Sequence, residues 1–406
     1  MGARPLTDQP NPSRLDSVEA WLSRPLWAEV DLDAVKENVR SLKDQAGSSE
    51  LMAMVKANAY GHGAVAVARA ALASGASRLG VAALDEAIQL RMAGINAPVL
   101  VVGDVSPARA EQCVELDITA TANSLRMGRA LSAAARKLGQ SCRVHVKADT
   151  GLNRYGLGDP EIIDLANALR RLPGIEIEAI YTHFATADEA DKGFTREQVR
   201  RFRSVTEQLD WIPLKHCSNS AGLLELREFN FDIVRPGISL YGLYPSAAVE
   251  RRVHLRPALS LKARIVRVHE MAPNETTSYG RRWQAKGGET VALVPCGYGD
   301  GYPRLLSNMF HVWIEDQLCP IRGTIAMDQM VVDITSTTAA EGTEVTVLGG
   351  HDGSGVSATE IAERASTISY EVTTSISARV PRIFLEGGKP VAAQGLNDRL
   401  PVDLMP

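Results

Sequence analysis

The sequence predicts an α/β fold, an N-terminal (β/α)8 barrel followed by a C-terminal, mainly antiparallel β domain. Two observations carry this reading. From Leu51 to Val234 short apolar runs alternate with amphipathic helical stretches, at a spacing of roughly 25 to 30 residues that suits β/α units. After Arg256 the texture changes to short alternating strands separated by Gly, Asp, Pro and Asn, as antiparallel sheets require. A chain of 406 residues is long enough for one large domain and a second.

The apolar runs are residues 52–55, 79–82, 99–102, 118–121, 144–146, 177–180, 214–217 and 233–234. Eight such runs fit a closed barrel better than an open sheet. An open dinucleotide-binding sheet would carry a glycine-rich fingerprint, and Gly156-Leu157-Gly158 lacks its third glycine. Helices are expected over 85–93, 107–116, 124–138, 160–171 and 195–209, with Pro107 and Pro160 at helix starts. Residues 27–32 alternate like a strand and, preceding the barrel rhythm, could pair with the second domain. Asp31 or Asp33 then opens a helix to about Leu42. In the second domain strands are expected over 259–265, 290–294, 310–314, 330–334 and 344–348, with a helix over 357–365. The resulting partition is a tail over 1–24, a barrel over 25–257, a β domain over 258–390 and a tail over 391–406.

Composition narrows the function classes. A net charge of -4 argues against a nucleic-acid or anionic-membrane binder. Five scattered cysteines without a CxxC pair fit a reducing compartment and neither a disulfide framework nor a zinc site. The N-terminus has no signal-peptide core, and no apolar run approaches membrane-spanning length. The expectation is a cytoplasmic protein without a metal.

A barrel places its active site at the C-terminal ends of its strands. Those ends carry Lys56 and Tyr60, Lys147 with Asp149 and Arg154, His183, His216 with Asn219 and Ser220, and Arg235 with Gly237. The set is polar and cationic, without the paired carboxylates of a glycosidase. It suits an anionic small molecule bearing a carbonyl. Lys56 ends an apolar run, where desolvation would free its amine as a nucleophile. Arg235-Pro236-Gly237-Ile238 follows the eighth strand, where barrels often hold phosphate, although Arg-Pro-Gly is equally an ordinary turn.

These residues sit in motifs that resemble the alanine racemase family across residues 26–384. The motifs are Val55-Lys56-Ala57-Asn58-Ala59-Tyr60-Gly61-His62-Gly63, Lys147 through Asp149-Thr150-Gly151 to Arg154, Thr182-His183-Phe184-Ala185, and His216 through Asn219-Ser220. They continue with Val234 to Gly242, Ser278-Tyr279-Gly280-Arg281, Gly297 to Arg304, Met327-Asp328-Gln329 and Ser369-Tyr370-Glu371-Val372. The resemblance implies a pyridoxal 5'-phosphate enzyme that interconverts L- and D-alanine and supplies D-alanine for peptidoglycan. Lys56 would hold the cofactor as an imine and act as one base. Tyr279, from the partner subunit of a homodimer, would be the other. Tyr60, Asn219, Ser220, Gly237, Ile238 and Tyr370 would hold the cofactor with Arg235 and His183, Arg235 facing the pyridine nitrogen. Arg154 and the backbone of Met327 would hold the substrate carboxylate. Lys147, His216, Tyr298 and Asp328 would support the site, Lys147 resembling a lysine that some members carry as a carbamate.

The chemistry agrees with these roles. Racemisation needs a base on each face of the α-carbon. An arginine has donors only, so a pyridine nitrogen facing it must accept and stay unprotonated, which disfavours transamination. A related decarboxylase would want a carboxylate there. Tyrosine as a base near neutrality needs its pKa brought down from about 10, and Arg281 and Arg282 stand beside Tyr279. Ala326 and Gly299 replace the cysteine and alanine common in the family, so a wider mouth and a broad-specificity amino-acid racemase form the alternative. A non-catalytic cofactor carrier would explain Lys56 but not the second domain.

Overall fold

The computed structural model describes residues 22–350, 354–398 and 400–403, so the expected N-terminal tail lies outside the described residues up to residue 21. The described residues form two compact units. One is Ala34–Pro257, and the other joins the residues up to Asp33 with those from Ala258 on. The first strand, β1 (Leu26–Asp31), belongs to the latter.

Within Ala34–Pro257 eight strands make one parallel sheet: β2 (Glu50–Met54), β3 (Arg78–Val81), β4 (Val99–Val101), β5 (Thr119–Thr121), β6 (Cys142–Lys147), β7 (Ile175–Tyr181), β8 (Leu214–His216) and β9 (Ile233–Val234). Neighbours follow chain order from β2 to β8, and β9 pairs with β2. Backbone hydrogen bonds from Asp232 N to Lys215 O (3.0 Å) and Arg235 N to Ser218 O (2.9 Å) join β8 to β9 and close the ring. The strands are short and largely apolar because both faces are covered, one by the other strands' side chains and one by helices. Helices Leu84–Met92, Leu125–Leu138, Glu161–Leu169 and Gly193–Gln208 follow their strands near the predicted positions. The second begins where Ser124 Oγ accepts from Met127 N (3.2 Å) and stops at Gly139, φ +65°. Among the described residues no helix is long and apolar enough to cross a membrane.

The other unit adds β10 (Leu259–Arg264), β11 (Arg267–Met271), β12 (Thr276–Thr277), β13 (Trp283–Gln284), β14 (Glu289–Val294), β15 (His311–Ile314), β16 (Gln317–Arg322), β17 (Met330–Asp333), β18 (Glu344–Leu348), β19 (Arg382–Glu386), β20 (Lys389–Gln394) and β21 (Val402–Asp403). Eleven strands form one sheet in the order β11-β14-β17-β16-β15-β18-β10-β1-β19-β20-β21, antiparallel except where β1 meets β19. β1, at the head of the segment assigned to the barrel, thus lies between β10 and β19. Its Leu26, Ala28 and Val30 are fully buried there. The tail expected from residue 391 likewise contains strand, since β20 pairs with β19 and β21 with β20. β12 and β13 pair separately as a small hairpin.

Gly242 ends the turn after β9 with φ +86°, and a Cβ there would come within 1.8 Å of Arg256 O. Gly242→Ala is expected to lower the unfolding free energy by roughly 2–5 kcal/mol, from the strained φ together with the clash. A urea titration checks this, and an unchanged midpoint would contradict it.

Candidate active site

β2 ends at Met54, and Lys56 follows at its C-terminal end. Beyond it the backbone turns left-handed: Ala57, Asn58, Ala59 and Tyr60 have φ of +51°, +53°, +54° and +52°. That conformation costs an L-residue about 1–2 kcal/mol, so it persists only where its surroundings fix it. Glu86 Oε1 accepts from Ala57 N (2.5 Å), while Oε2 accepts from Ala82 N (2.8 Å) and Ala83 N (3.0 Å). Asn58 Oδ1 accepts from Ala64 N (2.9 Å). The Tyr241 ring packs on Tyr60 and His62, and its hydroxyl donates to Met54 O (2.8 Å). Lys56 is thereby held at a rigid place. Burial, and next the charge of Arg154, push its pKa down, with Glu86 opposing, so its amine is more readily freed than a surface lysine's.

A second group gathers around Gly237. Ser220 Oγ accepts from Gly237 N (2.9 Å) and Ser239 N (3.4 Å), which leaves its own proton to donate outward. A Cβ at Gly237 would lie 2.4 Å from the Tyr60 hydroxyl, so only glycine permits this approach. Buried Ile238 follows and opens a 3-10 turn. Asn219 Oδ1 accepts from Gly222 N (3.0 Å), capping the short helix that begins with Ser220.

Arg235, at the end of β9, is 4% exposed. Its NH1 donates to His216 Nδ1 (2.7 Å), and its NH2 to Thr182 O (2.8 Å), Cys217 O (3.1 Å) and His183 Nδ1 (3.2 Å). Its Nε–H has no acceptor among the described residues. Both histidines are held neutral: burial first, and then the charge of Arg235, push their pKa values well down. Lys147, at the end of β6, is buried with its ammonium 5.3 Å from the Tyr155 ring and 5.4 Å from the Tyr181 ring. Burial, then Arg235 and Arg154, bring its pKa down to about 8. Arg154 is exposed in the loop after β6, which Asp149 shapes by accepting from Gly151 N (2.8 Å) and Asn153 N (3.1 Å).

The remaining motif residues lie in the other unit, where three segments interlock. Tyr279 stands between β12 and β13 and is 73% exposed. Thr324 Oγ1 donates to Tyr279 O (2.7 Å), and Ser278 Oγ donates to Thr324 O. Two and three residues on, the same segment takes Tyr298 N onto Ala326 O (3.1 Å) and Gly299 N onto Met327 O (2.8 Å). Met327 is 51% exposed, and its N–H has no acceptor among the described residues. Asp328 Oδ1 accepts from Arg379 NH2 (2.7 Å), and Arg379 Nε donates to buried Asp300 (2.8 Å). The space expected at Gly299 is filled, because a Cβ there would meet Arg379 NH2 at 2.9 Å and Met327 Cγ at 3.0 Å. Tyr370 lies in helix Ser369–Thr374, partly exposed.

In the barrel these residues fit pyridoxal 5'-phosphate. An amine of lowered pKa suits an aldehyde, the glycine cradle with the Ser220 hydroxyl suits a phosphate, and the Arg235 Nε–H suits a ring nitrogen that accepts. Sequence reasoning missed Glu86, His145, Glu178, Asp300 and Arg379. For His145 a signal existed: it stands two residues before Lys147 on one strand, hence on the same face.

Residues 30–245 match the alanine racemase N-terminal domain, and residues 258–384 the alanine racemase C-terminal domain. The chain belongs to the alanine racemase family. It is 43% identical to the alanine racemase of Symbiobacterium thermophilum over 366 residues, 89% of this chain and 97% of that one. To the alanine racemase of Methanococcus maripaludis it is 42% identical over 372 residues, 90% of this chain and 100% of the other. Among solved structures, alanine racemase of Clostridium difficile superposes with a TM-score of 0.89 at 36% identity, covering 93% of this chain and 100% of that chain. The Bacillus anthracis alanine racemase, which carries bound L-Ala-P, gives 0.87 at 36% identity, covering 92% and 98%. The family's reaction is racemisation of alanine with pyridoxal 5'-phosphate as cofactor.

With its pKa near 8, the Lys147 amine is expected to gain reactivity as pH rises through 8, well below the range of surface lysines. Trace acetylation in bicarbonate-free buffer, read by mass spectrometry from pH 6 to 11, checks this. A midpoint above 10 would contradict it.

Proposed function

We propose that Lys56 and Tyr279 are the two bases with which this member of the alanine racemase family interconverts L- and D-alanine. The observation that carries the site assignment is Arg235, a buried guanidinium whose Nε–H has no acceptor among the described residues. Pyridoxal 5'-phosphate, when bound, delocalises the electron pair left at the substrate α-carbon. Lys56 Nζ would hold the cofactor covalently until the substrate amine displaces it, and the freed amine would then take or return a proton on one face. Tyr279 Oη does the same on the other. Arg235 donates to the ring nitrogen, with His183 beside it and His216 orienting it. Ser220, Gly237, Ile238, Tyr60 and Tyr370 hold the phosphate, and Asn219 caps the helix that presents Ser220. Arg154 and the N–H of Met327 hold the substrate carboxylate, with Asp328 and Tyr298 at the mouth.

In this reading the barrel unit, Ala34–Pro257, binds the cofactor, and the other unit carries the second base. Tyr279, 73% exposed, and Met327, 51% exposed, are presented outward on their unit, which supports a homodimer whose partner supplies them. Lys147 lies among Arg154, Arg235 and Lys56. Carboxylation to a carbamate would turn a fourth cation into an anion able to pair with Arg154. The filled space at Gly299 supports alanine over larger substrates. The enzyme works in the cytoplasm and supplies D-alanine for peptidoglycan.

Lys56→Ala is expected to remove the absorbance band of covalently held cofactor and to lower racemisation by about 10³-fold or more. Tyr279→Phe should slow inversion about 10²–10⁴-fold, while α-proton exchange in deuterated water persists for one enantiomer and is lost for the other. Full activity with an intact band in the first variant would contradict the proposal. So would equal exchange of both enantiomers at the wild-type rate in the second.

A further inference from the structure

Arg235 is buried and makes no ion pair among the described residues, an arrangement that is costly unless charge of opposite sign reaches it. Its hydrogen bonds lead to one. His216 Nε2 lies 3.0 Å from His145 Nδ1, and His145 Nε2 lies 2.8 Å from Glu178 Oε2. Glu178 Oε1 accepts from Arg78 NH1 (2.9 Å), and Arg78 Nε donates to Glu50 Oε2 (2.7 Å). Glu50 opens β2 and Arg78 opens β3, so this chain of contacts runs through the barrel interior from the strand C-termini to the strand N-termini. His145 and His216 are both fully buried.

The direction of every proton follows from the ends. Arginine only donates, so His216 Nδ1 accepts and the His216 proton sits on Nε2. That N–H faces His145 Nδ1, which must accept, so the His145 proton also sits on Nε2 and points at the carboxylate. Protonating His145 on both nitrogens would require His216 to accept at both of its own, leaving it with no proton at all. Neither ring can become an imidazolium while the contacts hold. Burial also disfavours both charged forms. A chain of aligned donors strengthens each link, and here the negative end of every dipole points toward Arg235.

We propose that Glu178 is the counter-ion of Arg235, acting through His145 and His216, which it locks as neutral Nε2–H imidazoles so that Arg235 keeps its Nε–H free for the ring nitrogen. The role for that Nε–H rests on the functional reading above, while the tautomers do not. Glu178 and His145 are positioning residues. Glu178→Gln tests the polarity with little change of shape. Arg78 can only donate, so it keeps the amide oxygen and turns the amide N–H₂ toward His145 Nε2. Both histidines must then carry their protons on Nδ1, which sets a donor on His216 against a donor on Arg235.

The experiment is ¹⁵N NMR of the holoenzyme labelled at its eight histidines, with His145 and His216 assigned by substitution. In the wild type both are expected to be Nε2–H, with Nδ1 unprotonated, from pH 6 to 9. In Glu178→Gln both protons are expected to move to Nδ1, or the His216 contact to Arg235 to be lost. The absorbance of the bound cofactor should shift, with kcat falling about tenfold or more. A proton on Nδ1 of either histidine in the wild type overturns the proposal. So does a Glu178→Gln variant with unchanged tautomers and unchanged cofactor spectrum. If that variant does not fold, the wild-type tautomers decide alone. Wild-type tautomers as described in a protein that does not racemise alanine would count against the functional reading and leave the relay standing.

Discussion

Inverting one carbon requires proton carriers fixed on both of its faces, and this constraint organises the molecule. In the proposed mechanism the barrel supplies one of them. Lys56 stands at a strand end, the most rigid kind of position a barrel offers, and the following turn is forced into a conformation that L-residues avoid. Glu86, Asn58 and Tyr241 hold that turn in place. The second carrier proposed lies on the other unit. Tyr279 is offered on a hairpin of the β unit, braced by Thr324 on a segment that also carries Met327.

Electrostatics gives the barrel mouth its character. Lys56, Lys147, Arg154 and Arg235 bring four cationic side chains near one another, with Glu86 the carboxylate acting on Lys56 and Asp149 the one acting on Lys147. Glu86 is tied to three backbone N–H groups. Glu178 reaches Arg235 only through two imidazoles. The cations outnumber these carboxylates, and a surplus of positive charge suits the binding of a phosphate and a carboxylate.

Much of the fold was legible because a parallel barrel writes each strand as an apolar run and each helix as a periodic one. The β unit was harder to read. β11 is polar and lies at a sheet edge, and β16 contains Pro320, a residue that argues against a strand unless the pairing tolerates it. β1 read as a strand, but its parallel partner β19 lies some 350 residues on, and alternation says nothing about partners. Lys56, Arg235 and Ser220 could be found at strand ends, and Tyr279 and Met327 through their motifs. His145, Glu178 and Glu86 escaped because their importance arises from contacts between distant strands. His145 even sat inside a run read as apolar.

If Lys56 and Tyr279 serve one site from two different subunits, inactive variants must rescue one another. Lys56→Ala and Tyr279→Phe chains, unfolded together and refolded as a mixture, would form hybrid dimers in which one site carries both defects and the other carries neither. Activity should return to about one quarter of wild type for an equimolar, randomly assorted mixture. Activity no higher than that of the two variants refolded separately, with hybrid dimers present by native mass spectrometry, would contradict the account.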